Sequence, residues 1–127
     1  MERIISKEII DDKVVGKCAI NIKEEKEGVI WEISSWYVDN DYQNQGIGRK
    51  LLKRCLNEAK EKFGIPSKID YVWNGTNHYV YDWLEKNFNP VIATPISVLK
   101  YQEEDDWLSH IYHLNTKKVL EYFEIRD

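Results

Sequence analysis

The chain reads as an α/β fold: a mixed, mostly antiparallel sheet with flanking helices, forming one domain over 1–127. Three observations predict it. An alternating apolar run at 13–23 and a denser one at 29–38 have strand character. A helical periodicity runs unbroken over 46–63. Strand-like and helix-like stretches then keep alternating, with no linker, repeat or low-complexity tract between them.

Taken in order, Arg3–Ile10 and Lys13–Lys23 form a hairpin turned at Asp11-Asp12. On the second strand Val14, Gly16, Cys18, Ile20 and Ile22 share one face, while Lys13, Lys17, Asn21 and Lys23 share the other. A charged turn from Glu24 to Gly28 leads into Val29–Val38, whose apolar residues fall on both faces, as in a strand covered on both sides. Ile47, Leu51, Leu52, Cys55, Leu56, Ala59 and Phe63 then repeat at helical spacing. Gly64 and Pro66 stop that helix. Lys68–Trp73 is a further strand. A second helix starts at Asn77, a good N-cap, buries Tyr79, Val80, Trp83 and Leu84, and ends before Asn89-Pro90. Val91–Tyr101 and Trp107–Leu114 read as strands separated by the acidic turn 103–106, with a bend or edge position at Pro95. Thr116–Phe123 closes the chain as a short helix packing Val119, Leu120 and Phe123.

Composition narrows the function. The 127 residues are 43% hydrophobic and carry 18 Lys and Arg against 22 Asp and Glu, for a net charge of −4. The charges are interspersed, so no nucleic-acid partner is expected. No apolar stretch has the length of a membrane span or the form of a secretory leader, so a cytoplasmic protein without a membrane partner is expected. Cys18 and Cys55 fit no metal or redox spacing and read as reduced core thiols. His110 and His113 fall on opposite faces of one strand, where packing or surface roles are expected and no metal site. The turn at 103–106 reads as a solvated loop.

The chemistry concentrates between the strand ending at Val38 and the helix beginning at Gly46. A helix N-terminus leaves several N–H groups without partners and carries partial positive charge. Gly46 and Gly48 remove side chains that would keep an anion away, and Arg49 and Lys50 add charge one step further on. These are grounds for a diphosphate site. The dinucleotide fingerprint fails because its third glycine position is Leu51, and no Gly-Lys-Ser/Thr exists for a Walker loop. What does fit is Gln-x-x-Gly-x-Gly between a strand and a long amphipathic helix.

From about Ile30 to Leu52, and most closely from Tyr37 through Gln43-Asn44-Gln45-Gly46-Ile47-Gly48, the chain resembles the GNAT superfamily of N-acetyltransferases, with a weaker match extending to Phe88. The resemblance implies a GNAT-like sheet and acetyl-CoA as co-substrate. Its diphosphate would sit on the loop amides of Gln43, Asn44, Gln45, Gly46, Ile47 and Gly48, and its pantetheine arm along the strand edge at Tyr37 and Val38. It implies transfer of the acetyl group to a primary amine of a small molecule, peptide or protein. Glu32, six residues before Val38, matches a position where many members carry the general base; the alternative is a glutamate that faces solvent or pairs with a neighbouring lysine. In the second helix Asn77 matches a coenzyme contact, although an N-cap role alone accounts for it. Asn87-Phe88 stands where the family has Gly-Phe. The usual tyrosine slot holds Trp83, which has no proton to donate, so Tyr81 is the substitute acid for the leaving thiolate. Members usually insert two helices after the first strand. Asp11-Asp12 leaves no room for them, which implies an acceptor cleft that is open or completed by a second subunit, as in a homodimer. The alternative is a non-catalytic coenzyme A-binding or interaction module on the same scaffold.

Overall fold

The computed structural model describes residues 2–73, 78–92 and 110–126. Strands β1 (Glu2–Ile10), β2 (Lys13–Glu25) and β3 (Gly28–Val38) form an antiparallel meander. Asp11 and Asp12 both take left-handed φ values, 52° and 63°, the backbone that a tight two-residue hairpin turn requires. Helix α1 (Ile47–Phe63) then crosses to β4 (Lys68–Trp73), which pairs parallel to β3. Helix α2 (His78–Phe88), the short β5 (Val91–Ile92), β6 (His110–His113) and helix α3 (Thr116–Tyr122) complete the order. Among the described residues the sheet has six strands, β1-β2-β3-β4-β6-β5. Residues 93–109 and Asn77 lie outside the described residues, and with them the expected strand around Pro95 and the acidic turn. No described helix is long and apolar enough to cross a membrane.

The core lies between the sheet and α1. Leu51, Leu52, Cys55, Leu56 and Ala59 are fully buried against Ile20, Trp31, Ile33 and Ile69. Each aliphatic side chain so buried contributes about 1.5–3 kcal/mol. Gly64 ends α1 at φ 79° after Lys60 and Lys62, which complement the negative end of the helix. Asn115 caps α3, its side chain accepting from the Lys118 amide at 3.0 Å.

Strand β3 departs from simple alternation. Ile33 pairs with Ile20 and Ser35 with Ala19, so Ser34 is an extra residue, a β-bulge. The bulge shifts the side-chain phase by one. Trp31, Ile33 and Trp36 thereby all face α1, while Glu32 faces the other way. Ile30, Trp31, Glu32 and Ile33 are nonetheless all buried, so this part of β3 is covered on both faces, as its apolar density predicts.

Gly16, on β2, lets α1 lie close. A Cβ there would sit 3.0 Å from Leu51 Cδ1 and 3.2 Å from the Tyr37 carbonyl oxygen. Gly16→Ala is expected to lower unfolding free energy by about 1–3 kcal/mol, read from denaturant melts.

Both cysteines are buried free thiols, with Cys55 Sγ donating to the Cys18 carbonyl at 3.3 Å. Burial lifts the Cys18 thiol well above its ordinary range, and the neighbouring Cys55 thiol adds to this. Burial also raises the Tyr71 phenol, with a smaller contribution from Cys18. Both groups stay neutral in the fold but ionise readily in the unfolded chain. Their contribution is therefore complete below the ordinary thiol range and is lost as pH rises beyond it. Melting temperature is expected to hold level from about pH 7 to 8 and to fall above roughly pH 8.5. Cys18→Ala should blunt the onset of that fall.

Candidate active site

The groove arises because two parallel strands part. β3 and β4 pair only over Ile30–Ile33 and Lys68–Tyr71. On its other edge β4 pairs with β6 over Asp70–Trp73, whereas β3 continues past Ile33 to Val38 with no described strand on its β4 side. The Asp39 amide donates to the Val15 carbonyl at 2.8 Å, toward β2. By the alternation of an antiparallel ladder, the backbone groups of Tyr37 also point toward β2, and those of Val38 point into the gap. Of the two edge residues expected from sequence, Val38 is the one whose main chain faces the groove.

The loop after β3 is braced from within. A 3-10 turn at Asn40–Tyr42 is followed by Asn44 and Gly46 in left-handed conformations, φ 64° and 79°. Gln43 Nε2 donates to the Val38 carbonyl at 3.0 Å and to Asn40 Oδ1 at 3.2 Å, tying loop to strand. Gly46 is the N-cap of α1 and offers no side-chain acceptor. The first intrahelical bond runs from the Lys50 amide to the Gly46 carbonyl, so the amides of Ile47 and Gly48 have no acceptor within the helix. Successive amides in this geometry make a concavity suited to an anion, and no acidic side chain sits in the first helical turn.

The two glycines do different work. At Gly46 the backbone itself demands glycine, while the space beside it is open, the nearest atom to an added Cβ being Arg49 Nη2 at 3.9 Å. At Gly48 the backbone is helical, and an added Cβ would touch Val38 and Trp36 at 3.5 and 3.6 Å. Trp36 donates its indole N–H to the Gly48 carbonyl at 2.9 Å, clamping the strand to the helix start.

These elements enclose a cavity of about 330 Å³. From β3 and the loop it is lined by Tyr37, Val38, Gln43 and Asn44, and from α1 by Gly46, Ile47, Gly48 and Arg49. Eight of the residues expected to bind the coenzyme thus share one wall. Gln45 is exposed and does not line the cavity. Lys50 turns away to Glu8 of β1, at 3.2 Å, where Arg54 joins it at 3.4 Å. Asn77 lies outside the described residues, and so does the side chain of Tyr81, whose backbone is in α2.

Trp83, from the slot where the family usually carries its tyrosine, also lines the cavity, as do Trp36, Tyr42 and Val80, to which no motif pointed. Trp83 is the hub of an aromatic cluster. It meets Trp36, Phe88 and Tyr122 edge-on at centroid distances of 5.5, 5.2 and 5.4 Å. Tyr122, on α3, accepts a hydrogen bond from Arg49 Nη1 at 3.3 Å. Only the alternation of β3 after a bulge that the letters do not announce would have exposed the role of Trp36.

Residues 4–89 match the sequence pattern of the Acetyltransferase (GNAT) family. The chain belongs to the GNAT family. Solved structures share this GNAT fold. An acetyltransferase from Bacillus anthracis, assigned to streptothricin and in complex with acetyl coenzyme A, superposes with a TM-score of 0.60 at 21% identity, over 88% of this chain and 62% of the other. PaiA N-acetyltransferase from Thermoplasma acidophilum, in complex with coenzyme A, gives 0.61 at 15% identity over 89% and 60%. An aminoglycoside acetyltransferase from an uncultured soil sample, in complex with sisomicin, gives 0.54 at 22% identity over 66% and 55%. This GNAT chain therefore spans little more than half the length of these proteins. A search of curated proteins finds no match.

The opposite face of the GNAT sheet carries a polar row. In register across five strands lie Asn21, Glu32, Asp70, His113 and Val91. Glu32 is buried, taking Lys23 Nζ at 2.6 Å on Oε2 and Asn21 Nδ2 at 3.3 Å on Oε1. Asp70, equally buried, meets His113 Nδ1 at 2.6 Å. The row runs across the base of the groove, where β3 and β4 are about to part. Asp70 and His113 are 43 residues apart, so no spacing rule could have joined them. The sole hint was a carboxylate set inside the apolar run Lys68–Trp73.

Proposed function

We propose that the chain binds acetyl-CoA and transfers its acetyl group directly to a primary amine. The observation that carries this is the uncapped start of α1, whose Ile47 and Gly48 amides open into a cavity continuous with the free edge of β3. The residues fit the coenzyme: a concave set of amides for a diphosphate, then an extended backbone edge for an amide-bearing arm. When bound, the coenzyme supplies the activated acyl group. The protein holds it, keeps one face of the thioester open, and handles protons. The Val38 N–H, facing the gap, is the proposed donor to the acyl oxygen. Tyr81 on α2 is the proposed proton donor to the departing sulfur. Glu32 and Asp70, side by side, outnumber the single Lys23 between them and are proposed to draw a cationic acceptor onto the sheet face.

Coenzyme A at one hundred times its Kd should raise stability by about 2.7 kcal/mol in thermal melts. With acetyl-CoA, thiol release is expected with at least one of three amines: spermidine, kanamycin and a short peptide with a free N-terminus. The very short β1–β2 connection, which leaves the acceptor side without its usual helices, favours the second reading, a binding module. Stabilisation without thiol release would support that module. The absence of stabilisation would overturn both readings.

A further inference from the structure

An acceptor amine is protonated at neutral pH and must lose that proton before it attacks. Glu32 is poorly placed to receive it, since both carboxylate oxygens are already engaged by Lys23 and Asn21. The neighbouring strand offers another group. Asp70 is 8% exposed and fixed at the middle of β4, and its Oδ1 lies 2.6 Å from His113 Nδ1. The imidazole itself is about half exposed, at 49% of its side-chain surface. A buried carboxylate on Nδ1 selects the tautomer with the proton on that nitrogen and leaves Nε2, on the far edge of the ring, as a bare acceptor. It also fixes the orientation in which Nε2 meets a proton donor.

We propose that His113, held by Asp70, is the base that deprotonates the acceptor amine; this rests on the acetyl-transfer reading above and deepens it. Asp70 occupies the register position between Glu32 and His113. An ammonium resting against Asp70 is about one strand spacing, roughly 5 Å, from both the parting of β3 and β4 and the imidazole ring. His113 is faced by Asp70 on β4 and, one strand further, by Glu32 with its partner Lys23. On β5 its neighbour is the uncharged Val91. On β4, Lys68 shares the face of Asp70 two residues away and is paired with Glu27 at 3.9 Å. The protons balance. One leaves the ammonium for His113 Nε2 and passes to solvent. The nitrogen lone pair then forms the N–C bond as the C–S bond breaks, and the second proton released by nitrogen ends on the departing sulfur. Asp70 is a positioning residue, acting only through the ring.

The test uses the full chain, acetyl-CoA and whichever of spermidine, kanamycin or the short peptide releases most thiol. The unmodified protein is expected to show an acid limb in kcat/KM against pH. His113→Gln, at a half-exposed position, should fold normally and retain stabilisation by coenzyme A. It should lose roughly 100-fold or more in kcat/KM, together with the limb. Glu32→Gln should keep the limb. Independently of turnover, nitrogen-15 imidazole spectra should place the His113 proton on Nδ1, and Asp70→Asn should move the ring toward the other tautomer. A His113→Gln protein with undiminished rate and an intact limb overturns the proposal. A limb lost in Glu32→Gln, or a bare Nδ1 in the unmodified protein, does the same. If the unmodified protein releases no thiol with any amine, the transfer reading falls and the dyad falls with it. A protein that turns over but ignores His113 sinks the dyad alone.

Discussion

Replacing Gly46 with isoleucine is expected to reduce coenzyme A affinity at least 100-fold, about 2.7 kcal/mol, while the domain still folds. Two effects act at this one position. Gly46 holds φ 79°, which a β-branched residue adopts only under strain of roughly 1–3 kcal/mol. The nearest atom to a new Cβ is 3.9 Å away, so no core contact is broken and the side chain extends into the space where an anion would approach the amides. Calorimetric titration with coenzyme A reads the loss, and denaturant melts confirm the fold. Gly48→Ala provides the contrast. A methyl group there makes ordinary contact with Val38 and Trp36 and gains about 1 kcal/mol of helix propensity. That variant should be as stable as the unmodified protein or more so, with a smaller loss of binding. Unchanged affinity in the Gly46 variant would remove the basis for the coenzyme site.

The second large effect belongs to Trp83. Its truncation to alanine is expected to cost about 3–5 kcal/mol, a large share of the stability of a domain this size. The ring packs on Phe88 of its own helix, joins α2 to the C-terminal helix through Tyr122 and Phe123, and joins both to β3 through Trp36. Edge-to-face pairs add to simple burial, about 0.5–1.5 kcal/mol each. Melting temperature should fall on the order of 10–20 °C. Because Trp83 also lines the cavity proposed for the coenzyme, binding should weaken even at temperatures where the variant is folded. Trp83→Phe should recover most of the stability. A Trp83→Ala protein melting within a few degrees of the parent would show that α2 and α3 are held by other contacts.

Much of the fold was legible in the letters because local periodicity is strong here. The limits of α1 and β4 and the turn at Asp11-Asp12 fall within a residue of expectation, each marked by apolar spacing or by residues tolerant of left-handed backbone. One difference is informative. The turn expected over Glu24 to Gly28 shrinks to Lys26 and Glu27, since Glu24 and Glu25 pair with Val29 and Gly28. Their charge reads as loop, yet on an exposed strand end it costs little. The loop from Gln43 to Gly48 was legible for the same local reason: a helix start bared of side chains is a property of consecutive residues.

What consecutive residues could decide, they decided: the elements, the family and the glycine-bared turn at the head of α1 all rest on patterns within a few positions of one another. The partnerships across the sheet were settled by pairing. The Ser34 bulge turned Trp36 toward the Gly48 carbonyl, parallel register set Glu32 beside Asp70, and the β4–β6 ladder brought His113 to it from 43 residues away. Strand register is a long-range choice, governed by how whole faces bury, and a shift of one residue would have sent each of these side chains to the other side.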